Sequence, residues 1–281
     1  MEEYIGQEHA KELASVMVEA ADKEGRPLPN ILISGSAGLG KTTLAKLILN
    51  GKTYNFTDGN SANTRERFAG YLIIDEIHNV RPEICDRLNT VLDAGGLRII
   101  GATTNPGLLP APFRSRFRTL PLVPYTVDDL TKIQYNVVDR KGITAQYRLL
   151  EEISKRGRFT PRRTLQYLAF IMDLMAVRDE TTLTEQTLLD GLDMIGVDEK
   201  GLVEIDHRYL EALPDDRPVG LQYLQAILQT DKDTIEEEIE PYLLQMKLID
   251  RSARGRFKVT SLEDQLQDSL DAVFKNKGEE N

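Results

Sequence analysis

The spacing of apolar positions divides the chain into three stretches of different character. Up to about residue 125, short apolar blocks alternate with amphipathic segments. Residues 8–24 carry apolar side chains at helical spacing and stop at Gly25 and Pro27. Apolar runs then recur at 31–34, 54–56, 71–74, 97–102 and 120–123, with helical segments between them. Strands that are apolar at successive positions are buried on both faces. This stretch therefore predicts an α/β fold, a parallel sheet with helices on both faces, over residues 1–125.

Beyond residue 126 the strand signals stop. Segments 127–139, 147–156, 161–177 and 184–195 all repeat at helical spacing, and Pro161 sits where a first helical turn tolerates it. Residues 126–197 thus predict an all-helical lid. A third unit, 198–262, shows short helical patterns at 206–213, 221–228 and 234–246, then an apolar block at 248–250. A turn at Ala253-Arg254-Gly255 leads into 256–259. Three helices followed by a hairpin predict a winged helix, and 263–281 reads as a polar C-terminal tail.

Composition narrows the classes. The 281 residues exceed what one compact core ordinarily holds, and 41% apolar with 28% charged content is that of a soluble globular protein. A formal net charge of −10 argues against a protein that coats nucleic acid over its whole surface, so any DNA contact has to come from a local basic patch. No run reaches the length of a membrane span, and MEEYIGQEHA has neither a basic start nor an apolar stretch. No membrane association and a cytoplasmic location are the expectations. Cys85 is the sole cysteine, which excludes a disulfide within the chain and leaves it as a buried apolar side chain.

The chemistry concentrates in Ile31-Leu-Ile-Ser-Gly35-Ser-Ala-Gly38-Leu39-Gly40-Lys41-Thr42-Thr43. Gly35 to Thr42 fits G-x-x-x-x-G-K-[ST] in the strand-then-helix setting that a phosphate-binding loop requires. Glycines allow backbone angles that turn N–H groups inward, and the following helix N-terminus adds positive potential. Lys41 would reach the β- and γ-phosphates of ATP, and Thr42 would hold Mg2+. Tyr71-Leu-Ile-Ile-Asp75-Glu76 then delivers two carboxylates at a strand end, Asp75 for the Mg2+ shell and Glu76 to deprotonate the attacking water.

Ala102-Thr103-Thr104-Asn105 ends the next strand. Its short polar side chains suit a γ-phosphate sensor and equally suit a plain turn. Arg114, Arg116 and Arg118 alternate just before the last strand, where an arginine can act on a phosphoryl group bound by a neighbouring subunit. Arg162 and Arg163 open a helix at Pro161, a place where the helix dipole disfavours cations, which suggests a bridge from lid to γ-phosphate. His78 has no partner His or Cys near in sequence and reads as a turn residue or a link from ATP site to core. Arg251, Arg254, Arg256 and Lys258 cluster on the wing, while the helix before it is acidic, so DNA contact is expected from the wing alone.

Together these residues resemble AAA+ ATPases, and more closely the RuvB family of Holliday-junction branch-migration motors. The resemblance runs nearly end to end, through Tyr4-Ile-Gly-Gln7, Gly38-Leu-Gly-Lys-Thr-Thr-Leu-Ala45, Asp75-Glu-Ile-His78, Gly101-Ala-Thr-Thr104, Phe113-Arg-Ser-Arg-Phe117 and Thr160-Pro-Arg162. It continues through Gly196-Val-Asp198, Pro218-Val-Gly-Leu221, Asp233-Thr-Ile-Glu236, Glu240-Pro-Tyr-Leu243 and Arg254-Gly-Arg256. It implies that Tyr4 and Ile5 line the adenine pocket and that the cradle from Gly35 to Thr43, with Asp75, binds ATP/ADP and Mg2+. Thr104 would be the first sensor, Arg116 a finger acting in a neighbour, and Arg162 the second sensor. Arg254 and Arg256 would touch DNA. The family further implies a homo-oligomeric ring, a hexamer, acting on double-stranded or branched DNA.

Departures from the family are informative. Family members carry an extra segment before the position of Tyr4, and Ser36-Ala37 replaces a Pro-Pro pair. Only about thirty residues separate the two ATP motifs, less than the family norm. Leu92-Asp-Ala-Gly-Gly-Leu97 passes almost directly from helix to strand where the family has a long hairpin that docks on RuvA. That argues against dependence on a RuvA-type junction partner. Two functions follow as expectations: an ATP-driven motor on duplex DNA, and alternatively an ATP-switched adaptor that oligomerises without translocating.

Overall fold

The structure, a computed structural model, describes residues 4–62, 70–214 and 217–259. The tail read at 263–281 and the last residues assigned to the winged helix lie outside these. The chain forms two compact units, Met1–Ile195 and Gly196–Asn281, so the lid belongs to the same unit as the sheet.

In the first unit, helix α1 (Glu8–Glu24) precedes strand β1 (Ile31–Ser34), α2 (Lys41–Ile48), β2 (Tyr54–Asp58) and β3 (Gly70–Asp75). After these come α3 (Pro82–Asp93), β4 (Leu97–Thr103), the single turn α4 (Ala111–Arg114) and β5 (Arg118–Pro121). The strands form a five-stranded sheet in the order β2-β3-β4-β1-β5 with every pairing parallel. Successive strand residues feed opposite faces. Ile31, Ile33, Ile73 and Ile100 pack with α1 and α2. Leu32, Leu72, Ile74 and Ile99 pack with α3, Phe113 and Phe117 on the other side. Each such side chain contributes about 1.5–3 kcal/mol on burial, which explains the continuous apolar runs.

Strand order places the site. β4 lies between β1 and β3, with Ser34 in register with Thr103 and Ile74 with Gly101. Because all strands run the same way, the loops that leave β1, β3 and β4 emerge side by side at one edge. Only Ala94-Gly95-Gly96 connects α3 to β4, with Gly95 at φ 79° to make the turn.

The lid comprises α5 (Val127–Arg140), α6 (Tyr147–Arg156), α7 (Pro161–Val177) and α8 (Glu185–Met194). Hydroxyls of Thr126, Thr160 and Thr184 cap α5, α7 and α8 by accepting first-turn N–H bonds. A buried polar cluster joins α5 to α6: Thr131 and Ser154 hydroxyls lie 2.8 Å apart, and the Gln134 amide donates to Leu150 O at 2.8 Å and to Ser154 Oγ at 2.6 Å. Helices α7 and α8 approach closely at Gly191, where a Cβ would come within 2.8 Å of Ile171.

The second unit contains α9 (Glu204–Glu211), α10 (Leu221–Leu228), a π-helical turn (Thr234–Ile239) running into α11 (Glu240–Gln245), and the antiparallel hairpin β6 (Ile249–Ser252) and β7 (Gly255–Lys258). The segment read as one helix over 234–246 is thus partly π. Its widened turn accompanies Glu236 and Glu240 both reaching the wing. Glu240 is 0% exposed and accepts from Tyr209 Oη at 2.7 Å, from Arg256 Nε at 2.9 Å and from Arg251. Arg256 also donates to Glu236 at 2.7 Å. Burial pushes the Tyr209 phenol up to about 12, so it stays a donor. Val219 and Arg256 exchange both backbone bonds at 2.9 Å, seating the wing on the helices.

Removing one partner of a buried, hydrogen-bonded charge cluster leaves the others uncompensated, at a cost of about 3–5 kcal/mol. Glu240→Ala should therefore destabilise the C-terminal unit by about that amount. Thermal unfolding followed by tyrosine fluorescence reads this directly, since the chain has no tryptophan. A loss below about 1 kcal/mol would show that the cluster adds little.

Candidate ATP site

The loop from Gly35 to Gly40 turns on left-handed glycines, Gly38 at φ 81° and Gly40 at φ 86°, before α2 begins at Lys41. Neither could gain a side chain easily. A Cβ on Gly40 would lie 2.8 Å from Tyr4 Oη, and one on Gly38 3.0 Å from Arg162 Cβ. Lys41 is 5% exposed and donates from Nζ to the carbonyls of Gly35 at 2.9 Å and Ser36 at 3.0 Å, so its ammonium is held at the mouth of the cradle. Thr42 Oγ1 donates to Asp75 Oδ2 at 2.8 Å, tying the start of α2 to the end of β3.

Glu76 follows in a left-handed conformation, φ 42°, uncommon for a residue with a side chain. Its Oε2 accepts from Thr104 N at 3.2 Å and Thr104 Oγ1 at 3.3 Å. His78 Nδ1 lies 3.3 Å from the same oxygen and 2.9 Å from Thr103 Oγ1. Of the polar residues ending β4, Thr104 is thus the one against the carboxylate of Glu76, while Thr103 faces His78.

Gly38, Gly40, Lys41, Thr42, Thr43, Asp75, Glu76, Pro161, Arg162 and Leu165 surround a cavity of about 290 Å3. Sheet edge and lid close it together, and the Arg162 N–H donates to Gly38 O at 3.4 Å. Anion-binding N–H groups, a lysine and an arginine thus face Asp75 and Glu76 across a small polar space. The donor set of one threonine hydroxyl and one carboxylate fits Mg2+, a hard cation that takes few protein oxygens and completes its shell with water and phosphate.

Other expected positions lie elsewhere. Tyr4 is buried behind the loop, and its phenol donates to Leu39 O at 3.2 Å and Gly40 O at 3.3 Å. Burial beside Tyr125 raises its pKa, so it remains a donor. Neither Tyr4 nor Ile5 lines the cavity. Arg116 is also outside it. Its guanidinium grips Asp93 at the end of α3, with Nε to Oδ1 at 3.2 Å and Nη2 to Oδ2 at 2.9 Å, and donates from Nη1 to Pro112 O at 2.7 Å. Arg116 holds the Asp93 carboxyl below the usual range. In the wing, Arg251 and Arg256 turn to Glu240, whereas the side chains of Arg254 and Lys258 make no hydrogen bond or ion pair among the described residues.

Sequence reasoning did not find the brace from Tyr4, the grip of Asp93 or the network around Glu240. The only hint was the i, i+4 spacing of Glu236 and Glu240 on a helix that it read simply as acidic. A Cβ forced against Tyr4 at a left-handed position costs about 1–3 kcal/mol. Gly40→Ala should accordingly weaken ADP binding by about 10-fold or more in titration calorimetry. Unchanged affinity would mean that the loop does not need this conformation.

Comparison with known proteins agrees with this geometry. Residues 1–94 match the Holliday junction DNA helicase RuvB P-loop domain, and residues 199–261 match the RuvB C-terminal winged helix domain. The Holliday junction branch migration complex subunit RuvB of Campylobacter concisus is 36% identical over 91% of this chain and 86% of the relative. That of a Nitratiruptor species is 34% identical over 96% and 92%. The solved Thermotoga maritima RuvB Holliday junction branch migration motor superposes with a TM-score of 0.87 at 31% identity, covering 95% of this chain and 96% of that one. With a phosphate-binding loop, its paired carboxylates, a helical lid and a winged helix in one chain, and with that identity over nine-tenths of its length, the protein belongs to the RuvB family of AAA+ ATPases.

Proposed function

We propose that this protein hydrolyses ATP to drive branch migration of double-stranded or branched DNA, as an oligomeric ring with its active sites between subunits. The observation that carries the reading is the cavity where Lys41, Thr42, Asp75, Glu76 and Arg162 converge. Glycine-loop N–H groups and Lys41 would bind the phosphates, and Arg162 would join lid to γ-phosphate, making lid angle depend on nucleotide state. Thr42 and Asp75 would hold Mg2+, which when bound neutralises charge developing on the phosphates. Glu76 would take a proton from water as the oxygen attacks the γ-phosphorus and the bond to the β-phosphate oxygen breaks, leaving ADP and phosphate.

Arg116 would serve the site of a neighbour. It stands outside its own cavity, and its bond to Pro112 O fixes one side of the guanidinium. DNA contact would fall to the wing through Arg254 and Lys258, with Arg251 and Arg256 setting wing position through Glu240. The short Ala94-Gly95-Gly96 connection leaves no protruding element between α3 and β4, which favours action without a RuvA-type partner.

Four-way-junction and duplex DNA, with ATP and Mg2+, test the function. ATP-dependent dissociation of the junction by the protein alone is expected; DNA-stimulated assembly without strand movement would transfer the reading to an ATP-switched adaptor. Glu76→Gln should bind ATP, stay oligomeric and turn over at least about 100-fold more slowly. Arg116→Ala should lose about 1,000-fold in turnover while still binding nucleotide. Mixing it with Lys41→Ala subunits should restore activity, because one variant contributes an intact cradle and the other an intact arginine. Absence of complementation would place Arg116 outside the neighbour's site.

A further inference from the structure

The two oxygens of Glu76 are not equivalent. Oε2 accepts from Thr104 N and Oγ1 and lies 3.3 Å from His78 Nδ1, whereas Oε1 has no hydrogen bond among the described residues. Glu76 lines the cavity, and His78 stands behind it with 9% of its side chain exposed. A carboxylate oxygen can only accept, so an attractive contact at 3.3 Å requires a hydrogen on Nδ1. That hydrogen is directed at Thr103 Oγ1, 2.9 Å away, which accepts from the Asn105 N–H at 3.0 Å as well, so Glu76 Oε2 meets the ring nitrogen as a close charge contact and not as a hydrogen bond. Thr103 is 0% exposed at the end of β4, so its hydroxyl is a fixed point of the sheet.

We propose that His78, anchored on the Thr103 hydroxyl, is a positioning residue for ATP hydrolysis: the Nδ1 edge of its ring, in close charge contact with Glu76 Oε2, holds that oxygen on the Thr104 side and leaves Oε1 as the oxygen that takes the proton from water. This rests on the reading of Glu76 as general base. Glu76 follows β3 on a backbone at φ 42°, which constrains its main chain but leaves the side-chain rotamers open. The Thr104 hydrogen bonds place one oxygen, and the His78 ring edge beside it from another direction settles which oxygen faces the cavity. Hydrogen bonds of this kind behind a reacting group hold it in productive geometry, and their loss slows chemistry more than binding. The same bonds join the ends of β3 and β4 across the two polar layers of the site, Thr103 with His78 and Thr104 with Glu76.

The test compares turnover with affinity for a fluorescent ADP analogue in the full-length protein with Mg2+. His78→Ala and Thr103→Val should each lower turnover by about 10- to 100-fold and leave affinity within about 2-fold. His78→Asn, whose amide nitrogen can occupy the place of Nδ1, should recover most of the lost rate. His78→Gln, whose amide reaches the place of Nε2, should not. Thr103→Ser should match the parent. On the Glu76→Gln background, His78→Ala should cause no further loss of the residual rate, because both act through one group. Equal losses in turnover and affinity, no difference between Asn and Ala at position 78, or additive losses with Glu76→Gln would overturn the role. Parental turnover by Glu76→Gln alone would instead remove the base assignment itself.

Discussion

The hydrogen bond from Thr42 to Asp75 marks the constraint on which the site depends. It joins the first turn of α2, the helix that follows β1, to the end of β3, which is separated from β1 in the sheet by β4. Such a contact is possible because β1, β4 and β3 are adjacent and parallel, so that their carboxyl ends share an edge. A one-residue slip in register between β1 and β4 would exchange the faces of alternate residues, moving Ile31 and Ile33 from one core to the other. The ATP site therefore inherits its geometry from the packing of the two apolar cores, the first of which includes Leu39 of the loop itself.

Around that edge, charge is arranged in opposition. Lys41 and Arg162 face Asp75 and Glu76 across a cavity of about 290 Å3, and the loop N–H groups add to the positive side. The lid takes part because Arg162 stands in the first turn of α7, next to Gly38. Few side chains between them leave the lid and the cradle in direct backbone contact. Movement of one against the other would be felt at the phosphates without an intermediary.

The second unit solves a different problem. A small domain must hold a basic hairpin in place although, of β6 and β7, Ile249 alone is buried in the apolar core. A buried glutamate that accepts from Tyr209, Arg251 and Arg256 does so, and it withdraws two arginines from the basic surface in the process. The residual basic face of the wing is correspondingly narrow, Arg254 and Lys258. That suits contact with a backbone of phosphates better than readout of bases, and it accords with a chain of net charge −10.

Much of this was legible along the chain itself. The sheet, the helical lid, the winged helix and the convergence of Lys41, Thr42, Asp75, Glu76 and Arg162 were all readable. Apolar periodicity reports burial one residue at a time, and the phosphate loop is a contiguous motif. What only the folded chain decided are contacts between residues far apart in sequence whose types carry no pattern. Tyr4 braces Gly40, Asp93 grips Arg116, Thr103 meets His78, and Glu240 gathers Tyr209, Arg251 and Arg256. A serviceable surface arginine and a buried, paired one look the same in a linear string. The difference lies in which carboxylate the tertiary fold brings within hydrogen-bond reach, because that choice is made by packing rather than by local propensity.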